Sequence, residues 1–312
     1  MKLYFNDTLS IVSKTLPYIA LRAAIYAAFG IAFIIYFVCI YGIGKALAAI
    51  TPQAEGIVWI LGLIVSFPLT KLAREYLLYL VKAGHVAVIA KLVTDGKLPD
   101  NTGQIAYGKS LVTSHFKQSS ILFLIDRTIH GVITALSSFM MRMTDFLSAV
   151  PGIDGLRKMM RGILYFSLSY IDEAILARYF VKPTPNPWDN ARQGIILYAQ
   201  AWKSFLSTAL IAGLISILSF PIFLIFTLGP ALAVSIGHAQ ERWLYIMIGV
   251  ISAWILKAIF IEPFTLTLMI VTYLKETENL VPNAEWEQKL ANFSSKFRSI
   301  QEKAALPAAA SN

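Results

Sequence analysis

Between Ser204 and Gln240 the chain carries no Asp, Glu, Lys or Arg, and the stretch from Ala23 to Gly44 is equally free of charge. A helix needs about 20 such residues to cross the hydrocarbon core of a bilayer. In lipid, backbone polar groups must be satisfied internally, so only helices and closed barrels span it. The apolar pattern here is continuous, without the strict alternation of a barrel strand, which selects helices. Composition agrees, since only 14% of the 312 residues are charged, against about 25% in soluble domains. A soluble enzyme, a disordered chain and a nucleic-acid-binding domain are excluded. The expected fold class is an all-α integral membrane protein.

Apolar runs predict transmembrane helices at roughly 19–49, 57–80, 119–141, 160–181, 204–233 and 243–274. Gly and Pro punctuate the short breaks within each pair, at Thr51-Pro52, Pro151-Gly152 and Gly229-Pro230. Between pairs stand Leu98-Pro99-Asp100-Asn101, Asn186-Pro187-Trp188-Asp189 and Val281-Pro282-Asn283, each a proline stop with an N-cap candidate. Gly108, Leu111, Phe116 and Lys117 align with Gly194, Leu197, Trp202 and Lys203 at one constant offset. Ala87–Lys91 matches Ala174–Arg178 just upstream, and Asn6-Asp7-Thr8 caps a degenerate N-terminal copy. The expected architecture is a single polytopic membrane domain over 1–312, with six transmembrane helices as three hairpin repeats. The repeats cover approximately 1–93, 94–182 and 183–280, with amphipathic interfacial helices on the cytoplasmic face. A C-terminal amphipathic helix follows at 281–303, then a disordered tail at 304–312.

Positive charge orients the chain. Lys and Arg give a net charge of +9, and in this topology most fall on the side that holds both termini. Lys45, Arg142, Arg157, Lys158, Arg161 and Arg242 fall on the other. Basic loops mark the cytoplasmic face, so both termini are expected there. The cluster Arg157-Lys158-Arg161 dissents and places the third and fourth spans in question. No signal peptide is read at the N-terminus. The one cysteine, Cys39, is expected to be buried filler.

Ionisable residues within the spans are the first functional candidates. Each costs about 2.5–3.5 kcal/mol at the bilayer centre on insertion scales, so each needs a partner or water. Asp126, His130, Asp172, Glu173 and Glu262 would line a polar path; alternatively they pair as interhelical salt bridges. Pro221 and Pro263 interrupt the fifth and sixth spans, each freeing a carbonyl four residues earlier. A second candidate is the C-terminal stripe Trp286, Leu290, Phe293, Phe297 and Ile300, flanked by Lys289, Lys296, Arg298 and Lys303. Trp286, Lys289, Phe293, Lys296, Phe297 and Arg298 are expected at an anionic membrane surface. The competing reading packs the stripe on the protein's own cytoplasmic loops. No catalytic constellation, metal spacing or cofactor motif is found.

Two families bear comparison. The mitochondrial carriers share six spans in three repeats, but no odd span here ends in their Pro-x-Asp/Glu-x-x-Lys/Arg signature. Ala106-Tyr107-Gly108-Lys109, with Ser114 and Phe123-Leu124, resembles the Tyr-Gly-Lys segment of choline transporter-like proteins. Met143-Thr144-Asp145-Phe146-Leu147 is similar to a downstream stretch of that family, with looser echoes at Arg74–Leu80 and Tyr273–Glu276. The chain is shorter than the family's and lacks its large extracellular loop. The resemblance implies movement of choline or a related lipid-derived solute and transfers no binding residue. The sequence thus predicts a transporter or channel-like protein for a small solute, such as a cation or lipid-derived amine. The alternative is a non-catalytic structural or accessory membrane subunit that binds lipid and assembles with a partner complex. Expected partners are anionic membrane lipids and a homo-oligomer or larger membrane complex, with no nucleic acid.

Overall fold

Helix is the regular structure of this chain, with no strand among the described residues. A computed structural model describes residues 3–72, 79–114 and 170–306, together with Thr128, Ile129, Gly131, Val132, Gly155 and Gly162. The helices are α1 (Phe5–Lys14), α2 (Leu16–Ala48), α3 (Ala54–Leu72), α4 (Tyr79–Asp95) and α5 (Gln104–Ser114). After a gap come α6 (Ile171–Val181), α7 (Pro187–Gln200), α8 (Trp202–Val234), α9 (Arg242–Thr277), α10 (Ala284–Phe293) and α11 (Ser295–Ala305).

Four helices are long and apolar enough to cross a membrane: Leu16–Ala48, Ala54–Lys71, Trp202–Gly237 and Ala239–Thr277, the last two including short 3-10 turns. They coincide with the first, second, fifth and sixth predicted spans. The expected third span, 119–141, lies outside the described residues except for Thr128, Ile129, Gly131 and Val132. Of the fourth, 160–181, the described part is Gly162 and the stretch from Tyr170, where α6 is 11 residues long.

Two of the predicted caps form. The Asn186 side chain accepts from Trp188 N at 2.9 Å with Pro187 at the first helical position, and Asn283 accepts from Glu285 N and Trp286 N. The N-terminal cap is corrected: α1 begins at Phe5, so Asn6-Asp7-Thr8 lies within the helix and Tyr4 caps it without a side-chain bond. The C-terminal helix is corrected too. Ser294 takes an extended conformation, ends α10 and caps α11 by accepting from Phe297 N at 3.2 Å. The tail expected from residue 304 is helical through Ala305.

The described chain divides into two compact units. The first comprises Met1–Pro17, Ala83–Ile217 and Pro263–Asn312. Its core gathers on α7, against which α6, α10 and α11 pack. Ile196, Phe205, Tyr273, Phe297 and Ile300 are wholly buried there, and Val86, Val88, Ile89 and Ala90 of α4 are equally enclosed. Tyr198, Phe205 and Tyr273 stack in sequence at 4.3 and 5.8 Å between ring centroids. The Tyr273 hydroxyl donates to Gly194 O at 3.1 Å. A Cβ on Gly194 would lie 3.1 Å from Ile175 and 3.2 Å from that hydroxyl, so the close approach favours glycine.

The second unit comprises Tyr18–Lys82 and Leu218–Glu262. Its outward faces are apolar: Ile31, Ile35, Val38, Ile43 and Leu47 on α2; Ile57 to Leu69 on α3; Leu218, Ile222, Ile225 and Phe226 on α8; Trp243 to Phe260 on α9. Along α9 that band rises about 26 Å from Trp243 to Phe260, and along α2 about 24 Å from Ile31 to Leu47. A bilayer core is about 30 Å thick. Cys39 is exposed within this band, which corrects its assignment as buried filler. Inside, helices approach through small residues: a Cβ on Gly62 would lie 3.0 Å from Ile40, and one on Gly30 would collide with Ile255.

Candidate functional site

At one end of the apolar band, Arg22 of α2 is only 2% exposed. A guanidinium cannot shed its charge, so burial demands an acid and hydrogen-bond acceptors. Both are supplied. Arg22 Nη2 lies 3.7 Å from Glu262 Oε2 of α9 and donates to Tyr26 Oη at 3.2 Å. Tyr26 in turn donates to Glu262 Oε2 at 3.2 Å, so one phenol links cation to acid. Tyr26 sits one turn beyond Arg22 on the same face, and the guanidinium carbon lies 5.7 Å from its ring centroid. Pro263 follows Glu262 directly and lacks the amide that would close a bond to Ile259.

The other end of the band carries a second polar and aromatic group. Lys45 pairs with Glu55 at 3.1 Å, and the Tyr41 hydroxyl donates to Glu241 at 3.3 Å. Trp59 and Trp243 meet edge to face at 4.6 Å, with Phe37 stacked on Trp59 at 6.1 Å. Trp and Tyr concentrate at membrane–water interfaces because each ring joins an apolar body to a polar edge.

The predicted polar path is distributed as follows. Asp126 and His130 lie outside the described residues. Asp172 and Glu173 occupy the first turn of α6, where carboxylates complement the helix dipole, and Glu173 is 7% exposed. They belong to the first unit and Glu262 to the second. Glu262 takes the ion-pair reading. Arg22, counted from sequence among the inner-side basic residues, is its partner. The signal was an Arg four residues before a Tyr at the head of an uncharged run.

The C-terminal stripe splits. Leu290, Phe297 and Ile300 enter the core and Trp286 packs partly against it, which corrects the placement of Phe297 on a membrane surface. The cause is the break at Ser294, which lets α11 turn its apolar side to α7. Lys289 pairs with Glu285 at 2.6 Å and lies 5.0 Å from the Trp286 ring centroid. Phe293, Lys296 and Arg298 stay exposed, with Arg298 donating to Ala291 O at 2.6 Å.

Polar contacts fasten this pair of helices. Asn186 Nδ2 donates to the carbonyls of Lys303, Ala304 and Leu306 at 3.0, 3.2 and 3.1 Å while its Oδ1 caps α7. Arg192 donates to Asp189 at 2.8 Å and to Glu287 at 2.6 Å. Burial pushes the Glu287 carboxyl up, but bonds from Gln301 and Arg192 outweigh it and hold the group below the usual range. Just before α1, burial and then the bond donated to Glu276 push the Tyr4 hydroxyl up to about 12. Asp7 pairs with Lys275 at 2.6 Å, joining α1 to the end of α9.

Among the described residues no group of His, Cys, Asp and Glu could hold a metal ion. Comparison with protein-family models, with curated proteins and with solved structures gives no match. The resemblance to choline transporter-like proteins therefore stands on its own residues. Of these, Ala106–Lys109 lies on α5 and Tyr273–Glu276 on α9, while Met143–Leu147 lies outside the described residues.

Proposed function

We propose that the protein is a multi-pass membrane protein with a structural or accessory role, assembling with other membrane components and contacting lipid through its second unit. The observation that carries this reading is the commitment of Glu262 to Arg22 and Tyr26. An acid already neutralised by a buried guanidinium is not free to hold a cationic solute. A small-solute transporter or channel is the second reading. It draws support from Asp172 and Glu173, two acids on the first turn of α6 in a chain of membrane-like composition.

The finer architecture belongs to the same proposal: six spans in three hairpin repeats, both termini cytoplasmic, and anionic lipid at the cytoplasmic face. Two features support the repeat. The segments α4–α5 and α6–α7 are each helix, turn, helix, and the aligned Gly108 and Gly194 are both buried. Exposed Phe293, Lys296 and Arg298 support a smaller lipid contact than the full stripe.

Purification in mild detergent, followed by uptake of labelled choline into proteoliposomes, separates the readings. The structural role predicts a stoichiometric partner and uptake no faster than in protein-free vesicles. Uptake well above that level, lost in Glu173→Gln, would establish the transporter instead.

A further inference from the structure

Within the apolar band of the second unit stands a cation, Lys257, that no other described residue answers. Lys257 lies on α9 one turn before Phe260 and five residues before Glu262, and it is partly exposed. No hydrogen bond, ion pair or electrostatic contact to Lys257 exists among the described residues. Arg22, at the same end of the band, is treated in the opposite way, with an acid and a phenol provided for it. An ammonium in hydrocarbon costs about 2.5–3.5 kcal/mol on insertion scales unless something neutralises it.

The surroundings of Lys257 face outward. Trp254, one turn earlier, is 50% exposed, and Phe260, one turn later, is 60% exposed and stacked with Phe223 of α8 at 6.2 Å. Lys257 thus stands between two outward aromatic residues, with its Cα only about 5 Å along the axis from the edge of the band. Its four-carbon stem can follow apolar surface and carry the ammonium towards the headgroup layer. The Cα–Cβ bond of a helical residue leans towards the helix N-terminus, here away from that edge. The ammonium therefore stays somewhat deeper than the general plane of the phosphates, and a phosphate must be drawn in to meet it.

We propose that Lys257 binds the phosphodiester of an anionic phospholipid in the leaflet at the Glu262 end of the band, with the acyl chains lying against Trp254 and Phe260. The inference rests on the membrane reading above. A lipid phosphate is the occupant that fits, because it brings negative charge from the headgroup layer and apolar chains for the flanking aromatics. A basic residue near an anionic surface gives about a five-fold preference for anionic over zwitterionic lipid.

The test uses full-length protein in phosphatidylcholine vesicles with trace spin-labelled phosphatidylglycerol or phosphatidylcholine. The parent protein should immobilise labelled phosphatidylglycerol about five-fold better than labelled phosphatidylcholine. Lys257→Gln should lower the ratio clearly below that of the parent, Lys257→Arg should keep it, and added inorganic phosphate should leave it unchanged. A Lys257→Gln ratio equal to that of the parent overturns the site. Loss of the ratio on adding inorganic phosphate overturns the lipid as its occupant. Absence of an immobilised component for both lipids overturns the membrane reading itself.

Discussion

In the first unit Phe297, Ile300, Ile196 and Val88 have no exposed surface, whereas in the second Phe67, Ile225 and Phe226 expose more than 70% of theirs. The residue types are the same and the arrangement is inverted. Burying apolar side chains from water stabilises a fold by about 25 cal/mol per Å², and the first unit is built on that term. Lipid tails are as apolar as leucine, so the second unit gains little by hiding such side chains and relies on close helix contacts and internal pairing of charge. Gly30 against Ile255, Gly62 against Ile40 and Arg22 with Glu262 are those devices. Like residues are thus enclosed in one unit and turned outward in the other.

The largest expected contrast is between two phenylalanines. Phe297→Ala leaves a cavity in the first unit and should cost about 4 kcal/mol. Phe226→Ala, on the outward face of α8, should change stability by less than about 0.5 kcal/mol. Thermal or denaturant unfolding of the protein in detergent compares them, and similar costs at both positions would erase the distinction.

Next in size is the charge pair. Glu262→Gln leaves Arg22 buried without its acid and should cost about 3 kcal/mol. Replacing both Arg22 and Glu262 with Met should recover most of that loss. A double variant as unstable as Glu262→Gln would show that the polar link, and not charge compensation, holds α2 to α9 there.

Asn186→Ala removes the cap on α7 and three bonds to the end of α11 together. The cap alone contributes about 1 kcal/mol. The expected result is a loss of about 1–2 kcal/mol, with faster amide exchange confined first to α11. The smallest effect is one of pH. Glu287 has a folded pKa below its unfolded value of about 4.3, so its stabilisation is complete above that pH and is lost as pH falls through the folded value. The parent should therefore melt above Glu287→Gln at neutral pH, and the gap should close as acidification passes through the folded value.

Much of the second unit was legible because an uncharged run such as Ala23–Gly44 has few alternatives to a membrane-crossing helix. The caps at Asn186 and Asn283 were legible for a local reason, a polar side chain and a proline at a helix start. The fate of the C-terminal stripe was not. Spacing shows that Trp286, Leu290, Phe293, Phe297 and Ile300 would share a face only while the helix is unbroken, and the break at Ser294 depends on packing against α7 from about 100 residues earlier. The partner of Glu262 was hidden for a similar reason, since Arg22 lies more than two hundred residues away in the chain. Of the polar path, Glu262 lies 3.7 Å from Arg22, while Asp126 and His130 fall outside the described residues.

The central claim is that the apolar band of the second unit lies in lipid while the exposed polar surface of the first unit lies in water. Spin labels placed at Ile35, Ile64, Ile225 and Val250, and at Ser110 and Gln288, test it directly in liposomes after Cys39→Ser. Oxygen concentrates in the bilayer and a neutral nickel chelate in water, so their ratio of relaxation effects reports the solvent at each label. The account predicts that oxygen dominates at the first four positions and nickel at the last two. Nickel dominance at Ile225 and Val250, or oxygen dominance at Ser110 and Gln288, would contradict it.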